Sequence, residues 1–238
     1  MRTVVYTGNR AVYDSMAAAC RSMIYHRGAD KIFLLTEDDV FPEPLPDCVT
    51  NINVSGQTFY KPDGPNFRSR WSYLALMKAA VPLMPEISGR VLVMDIDTFV
   101  CGSLDDLWSL PHGPLYMARE VGRREEYYNS GVMLMDTEAL RDDFREVLRR
   151  INNTRYDFGD QDAINQVLRG RIKQLPPEFN VSNWTVKPAD HAAIIHYAAL
   201  RDWSREPVYL EYARMSWDEA MRGPADIPPY AGAAQNAR

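Results

Sequence analysis

Nowhere in its 238 residues does the chain carry the ~18 consecutive apolar positions that a membrane-spanning helix needs. The opening residues Met1-Arg2-Thr3-Val4-Val5-Tyr6-Thr7-Gly8 meet charge and glycine too early for the apolar segment of a secretion signal, so a cytoplasmic location is expected. Only three cysteines occur, Cys20, Cys48 and Cys101; an odd number without metal-site spacing reads as small, reduced apolar side chains. The four Asn-x-Ser/Thr matches that begin at Asn53, Asn152, Asn180 and Asn183 are then chance occurrences. There is no excess of basic residues: 27 Lys and Arg stand against 32 Asp and Glu, a net charge of −5, which makes nucleic acid an unlikely partner. Nor does the end of the chain hold a basic amphipathic stretch for membrane attachment. No Gly/Ser-rich or charge-rich linker divides the sequence, so one domain is expected over 1–215, followed by a partly irregular C-terminal extension over 216–238.

What is present is an alternation of short apolar runs and helical patterns. Runs at 3–6, 31–36, 51–54, 90–94, 115–118, 131–135 and 192–195 read as strands, and the periodicity predicts helices over 13–25, 71–83, 137–150 and 161–169. Strand, helix, strand in that order implies an α/β fold whose central sheet is mostly parallel and flanked by helices. The strongest strand, Arg90-Val91-Leu92-Val93-Met94, delivers Asp95-Ile96-Asp97 where its apolar residues give out. Ligand sites in open α/β sheets lie beyond the carboxyl ends of strands. Two carboxylates at i and i+2 on extended chain point to the same side and can share one hard cation. Such a cation is useful where a diphosphate departs. A buried strand ending in Asp-x-Asp also opens phosphatases of the haloacid-dehalogenase type, but those continue with Thr or Val where this chain has Phe99.

Five segments taken together, in order and spacing, carry a resemblance. They are Val5-Tyr6-Thr7 with Tyr13, Arg90 through Asp97, Tyr128-Asn129-Ser130-Gly131-Val132-Met133-Leu134-Met135, Asp160-Gln161-Asp162-Ala163-Ile164-Asn165, and Ile194-Ile195-His196-Tyr197. The chain resembles glycosyltransferase family 8, the group of glycogenin and bacterial galactosyltransferases, and more broadly enzymes of the GT-A fold. The resemblance implies a single Rossmann-like GT-A domain and a metal held by Asp95, Asp97 and His196. Carboxylates with an imidazole suit Mn2+, with Mg2+ as the alternative. It implies nucleotide contacts from Tyr6, Thr7, Tyr13, Ile96 and Arg201, donor-sugar contacts from Asn129, Ser130, Asp95 and Arg70, and a reacting face formed by Asp160, Gln161 and Asp162. The implied activity is transfer of a hexose from a UDP-sugar, with retention, to an unidentified acceptor: glycan, protein, lipid or modified base.

Each assignment has a plain structural alternative. Tyr13 reads equally as a core aromatic, Asn129 as a strand end, Asp160 as a helix N-cap and His196 as a structural histidine. The chain also departs from the family twice. Where the family continues His-x-x-Gly-x-x-Lys, Ala199 replaces the glycine and Arg201 stands one place before the lysine. Before the aspartate pair, Arg68, Arg70 and Lys78 compete to be the basic residue near the donor; Arg70 is favoured, and a solvated basic face is the alternative for all three. A nucleotidyltransferase and a catalytically silent sugar-nucleotide-binding protein remain as other readings.

Overall fold

A computed structural model describes residues 1–67, 72–123, 126–188 and 190–224. Among the described residues nine strands are formed: β1 (Thr3–Thr7), β2 (Lys31–Thr36), β3 (Val49–Asn53), β4 (Arg90–Met94), β5 (Thr98–Val100), β6 (Leu115–Arg119), β7 (Tyr128–Asp136), β8 (Lys173–Gln174) and β9 (Ile194–His196). The helices are α1 (Tyr13–Tyr25), α2 (Tyr73–Leu76), α3 (Asp105–Trp108), α4 (Thr137–Ile151), α5 (Asp160–Val167), α6 (Pro207–Arg214) and α7 (Trp217–Arg222).

Seven strands make one sheet in the order β3-β2-β1-β4-β7-β6-β8, and four of its six pairings are parallel. β7 is the exception, running antiparallel to both β4 and β6. The reason is local: only residues 120–127 separate β6 from β7, fewer than a parallel crossover requires. The expected α/β sheet flanked by helices is therefore present, with one reversed strand, β7, beside its central strand β4.

Successive residues of each central strand supply opposite faces of the sheet. Val4, Tyr6, Leu92, Met94, Val132 and Leu134 face a cluster with α1, while Val5, Val91, Val93, Met133 and Met135 face one with α4 and α5. Burial on both sides explains why these strands read as unbroken apolar runs. On α4 the stripe Leu140, Phe144, Val147 and Ile151 is buried, and Asp136 caps its start by accepting from Glu138 N and Ala139 N at 3.1 and 3.0 Å. The helix expected over 71–83 is instead the single turn α2 followed by a 3-10 segment, Met77–Leu83, that contains Pro82. Proline lacks an N–H to donate and its ring crowds the carbonyl four residues back, so α-helical bonding does not continue there.

A second, two-stranded sheet pairs β5 with β9, setting Thr98 opposite His196. α6 braces it: Tyr212 Oη donates to Val100 O at 3.2 Å and the Tyr212 ring stacks on Phe99. Past residue 215 the chain forms α7, with Ser216 and Glu219 in a reciprocal capping box and Ala220 fully buried against the α1 side of the core. The cysteines are free thiols, Cys20 and Cys101 buried and Cys48 partly so. Among the described residues, no helix is long and apolar enough to cross a membrane.

Candidate functional site

β4 ends at Met94, and Asp95, Ile96 and Asp97 form the link into β5. Asp95 N donates to Gly131 O at 2.8 Å and Tyr197 N donates to Asp97 O at 3.0 Å, so the link is bonded to β7 on one side and to the end of β9 on the other. Because β7 runs opposite to β4, its first residues, Asn129 to Gly131, emerge beside the carboxyl end of β4. The β6–β7 ladder jumps there from Met117↔Met133 to Ala118↔Asn129, leaving residues 130–132 without a partner in β6. Asn129 thus lies inside β7 rather than ending a strand.

Asp95, Asp97 and His196 converge, each offering one ligand atom within 4.8 Å of the others. His196 Nε2 is 3.4 Å from Asp97 Oδ1 and 3.9 Å from Asp95 Oδ2. The imidazole is 3% exposed, while the carboxylates are 32% and 21% exposed, so the trio opens to solvent on its acidic side. Burial opposes charge on Asp97, but His196 beside it pulls its carboxyl below the ordinary value overall. The reciprocal holds for His196, which burial lowers and Asp97 raises, for a net upward shift. Two carboxylate oxygens and one imidazole nitrogen at this spacing fit a divalent cation, whose ligands at ~2.1 Å sit roughly 3 Å apart. The histidine is packed from behind: a Cβ on Gly131 would lie 2.0 Å from its Cε1.

Lys78, 5% exposed, joins this trio to Asp160. Its Nζ donates to Asp95 Oδ1 at 2.7 Å and to Ser130 O at 3.2 Å, and lies 3.4 Å from Asp160 Oδ2. Burial opposes its charge, but Asp160, Asp95 and Asp97 together raise its pKa. Asp160 is also buried, and desolvation outweighs Lys78, lifting its carboxyl to about 6. Its Oδ2 accepts no hydrogen bond despite being shielded from solvent. Asp160 is not the helix cap: Gly159, at φ +54°, precedes α5 and provides no side-chain cap.

The other two members of the expected reacting face are occupied within the protein. Asp162 accepts from Tyr127 Oη at 2.5 Å and from Phe158 N at 2.8 Å. Gln161 Oε1 accepts from Ser130 N at 3.0 Å and from Asn129 Nδ2 at 3.3 Å, and its Nε2 donates to Glu120 Oε1 at 3.0 Å. Asn129 is saturated as well: its Nδ2 donates to Glu120 and Gln161, and its Oδ1 accepts from Gly131 N and Asn180 Nδ2, both at 3.0 Å. An amide has two donor hydrogens and two acceptor lone pairs, so Asn129 has none left for a sugar hydroxyl in this geometry.

The nucleotide-side residues divide. Tyr6 is fully buried in β1, with its hydroxyl 3.4 Å from Ala19 O, so its ring packs in the core instead of meeting a base. Thr7 ends β1 on the site side of the sheet, Ile96 is partly exposed between the aspartates, and Tyr13, largely buried, donates to Asp38 at 2.8 Å. Arg201 is exposed. Ala199 adopts φ +61°, a left-handed conformation that glycine would adopt without penalty. Arg68 and Arg70 lie outside the described residues; of the three basic candidates, Lys78 is the one seen in the site. Its signal was in the sequence, since a lysine on the apolar face of a predicted helix requires a buried acidic partner. Glu120, Tyr127 and Asn180 carried no such signal.

Residues 47–206 match the model of the family Glycosyl transferase family 8. The chain is 25% identical to the glycosyltransferase GlyE of Streptococcus pneumoniae serotype 4 over 198 residues, covering 75% of this chain and 47% of GlyE. It is 22% identical to GlyB of the same organism, covering 92% and 63%. The chain therefore spans about half to two thirds of the length of these curated relatives. Among solved structures, apo GlyE superposes with a TM-score of 0.71 at 19% identity, covering 93% of this chain and 62% of that one. The galactosyltransferase LgtC in complex with donor and acceptor sugar analogs superposes with a TM-score of 0.66 at 18% identity, covering 89% and 95%.

Proposed function

Because the chain belongs to glycosyl transferase family 8, we propose that it is a divalent-metal-dependent, retaining glycosyltransferase that moves a hexose from a UDP-sugar to an acceptor. The observation that carries this reading is the convergence of Asp95, Asp97 and His196 at one opening, joined through Lys78 to an Asp160 oxygen that accepts no hydrogen bond. Asp95, Asp97 and His196 would hold Mn2+ or Mg2+, which when bound neutralises charge building on the departing diphosphate.

The protein's own groups do the rest. Asp160 Oδ2, buried beside Lys78 and without a hydrogen bond, accepts a donor-sugar hydroxyl. A buried acceptor gains most from a partner of this kind, and a sugar lacking that hydroxyl is rejected because the acceptor then stays unpaired. Lys78 pins Asp95 and Asp160 in place and lowers the local negative charge that would otherwise repel a nucleotide. Gln161, Asn129 and Ser130 shape the wall behind the sugar, and Tyr127 and the Phe158 amide hold Asp162 at its edge. Thr7, Tyr13, Ile96 and Arg201 remain the candidates for the nucleotide. The acceptor oxygen attacks the anomeric carbon as its bond to the β-phosphate oxygen breaks, on the same face, and the acceptor proton passes to the leaving phosphate. The transferase unit runs through residue 215 and, with Ala220 packed into the core, takes in α7.

The test is release of UDP from a panel of UDP-sugars with Mn2+ or with chelator. Expected is slow metal-dependent hydrolysis of one donor, lost in Asp97→Ala while the melting temperature stays within a few degrees. Wild-type turnover in Asp97→Ala, or release indifferent to chelator, would refute the metal assignment; pyrophosphate release would point to a nucleotidyltransferase.

A further inference from the structure

Behind His196 lies a chain of buried polar side chains with one direction only. Glu120, Asn129, Asn180 and His196 are 7%, 6%, 0% and 4% exposed. At one end the Glu120 carboxylate can only accept, and Asn129 Nδ2 donates to its Oε1 at 3.2 Å. Asn129 Oδ1 faces the Gly131 backbone N–H at 3.0 Å, a group that can only donate. These two anchors orient the Asn129 amide independently of each other. With Asn129 presenting its oxygen, Asn180 must present its NH2 there, which it does at 3.0 Å. The Asn180 oxygen is then left facing His196 Nδ1 at 2.9 Å.

We propose that Asn180 is a positioning residue that holds His196 as the Nδ1–H tautomer, so that the unprotonated Nε2 faces Asp95 and Asp97. The inference rests on the reading that these three residues hold a cation. An imidazole ligates through a lone pair, and which nitrogen keeps it is set by the hydrogen bond made by the other. In the opposite tautomer Nε2 would carry its hydrogen toward the ion and Nδ1 would set a lone pair against the Asn180 oxygen. No water reaches Asn180 to compensate, since it is fully buried. Nothing here requires Asn180 to touch substrate.

The test compares the wild type with Asn180→Leu, which removes the acceptor at similar size, and Asn180→Asp, which keeps an acceptor for Nδ1–H but cannot donate to Asn129. Nitrogen-15 NMR of histidine-labelled protein loaded with diamagnetic Mg2+, which takes up the Asp95 and Asp97 carboxylates that would otherwise draw the proton to Nε2, should show the wild-type proton on Nδ1, and Asn180→Asp should retain it. Mn2+ binding, followed by loss of the free-ion EPR signal, should weaken roughly 10–100-fold in Asn180→Leu and stay within a few-fold of wild type in Asn180→Asp. A wild-type proton on Nε2, or unchanged Mn2+ affinity in folded Asn180→Leu, would overturn the proposal. If Asn180→Leu fails to fold, the wild-type tautomer alone decides. A folded wild type that binds neither Mn2+ nor Mg2+ would defeat the metal reading, whereas wild-type binding with unchanged affinity in Asn180→Leu defeats the relay alone.

Discussion

Placing a methyl group on Gly131 tests the packing that holds the candidate metal site. An alanine Cβ there would lie 2.0 Å from His196 Cε1 and 2.7 Å from both ring nitrogens. Ordinary carbon contacts begin near ~3.5 Å, so ring and strand must separate by about 1.5 Å. Backbone conformation adds nothing to the cost, because Gly131 is not among the glycines with positive φ. The ring has little room to yield: Nδ1 is held by Asn180 at 2.9 Å, and the His196 backbone is paired with Thr98. A shift of that size moves Nε2 away from Asp97, now 3.4 Å distant.

Two consequences follow for Gly131→Ala. Overpacking should destabilise the fold by about 1–3 kcal/mol, read by urea denaturation. Mn2+ affinity, read by calorimetry, should fall at least ~10-fold, on the scale of other displaced metal ligands. The cause is isolated by adding His196→Ala, which removes the ring. In that background the stability loss from alanine at 131 should shrink by about 1 kcal/mol or more, a coupling expected only for groups in direct contact. Wild-type Mn2+ affinity in Gly131→Ala, or additive losses in the double variant, would refute the argument.

Three further outcomes are expected. Asp160 titrates at about 6 in the folded protein against an ordinary 3.8, so its favourable contribution is full below pH 3.8 and lost as pH rises through 6. Asp160→Asn should therefore be more stable than wild type at pH 8, by about 1–3 kcal/mol in urea denaturation, with little gain at pH 4, while losing donor turnover; equal gains at both pH values would contradict it. Burial holds His26 at about 4 against an ordinary 6.5, so stability present above pH 6.5 is lost as pH falls toward 4, by about 2 kcal/mol, and His26→Gln should flatten that part of a melting-temperature profile. Ala199→Gly, relieving φ +61°, should stabilise by up to about 1 kcal/mol in urea, and a loss of stability would show that the turn is not strained.

Much of the architecture was legible along the chain because burial on both faces of the sheet leaves continuous apolar runs. β1, β2 and β4 are found where those runs lie, and Asp95 and Asp97 stand at the strand end because carboxylates mark where burial stops. Helix α4 was readable for a similar reason, its apolar stripe repeating at helical spacing. The segment after residue 72 departs from the helix its spacing predicts, since periodicity does not register the lost bond and ring clash that Pro82 imposes. Lys78 stood in plain view on that apolar face, and what it needed, two carboxylates, one of them buried, sits 17 and 82 positions further along.

The remaining site residues follow from distances that no local pattern encodes. Glu120, Asn129, Gln161 and Asn180 come from four separate segments, and only the reversed direction of β7 and the β5–β9 pairing bring their side chains into one network. The same network distinguishes Asp160, one of whose oxygens accepts no hydrogen bond, from Gln161 and Asp162, whose polar atoms are engaged within the protein. Residue type at each position was enough to announce an acidic, metal-competent strand end. Which of the neighbouring polar groups stay free for a ligand depends on hydrogen-bond saturation, and that is settled only when distant segments of the chain are packed together.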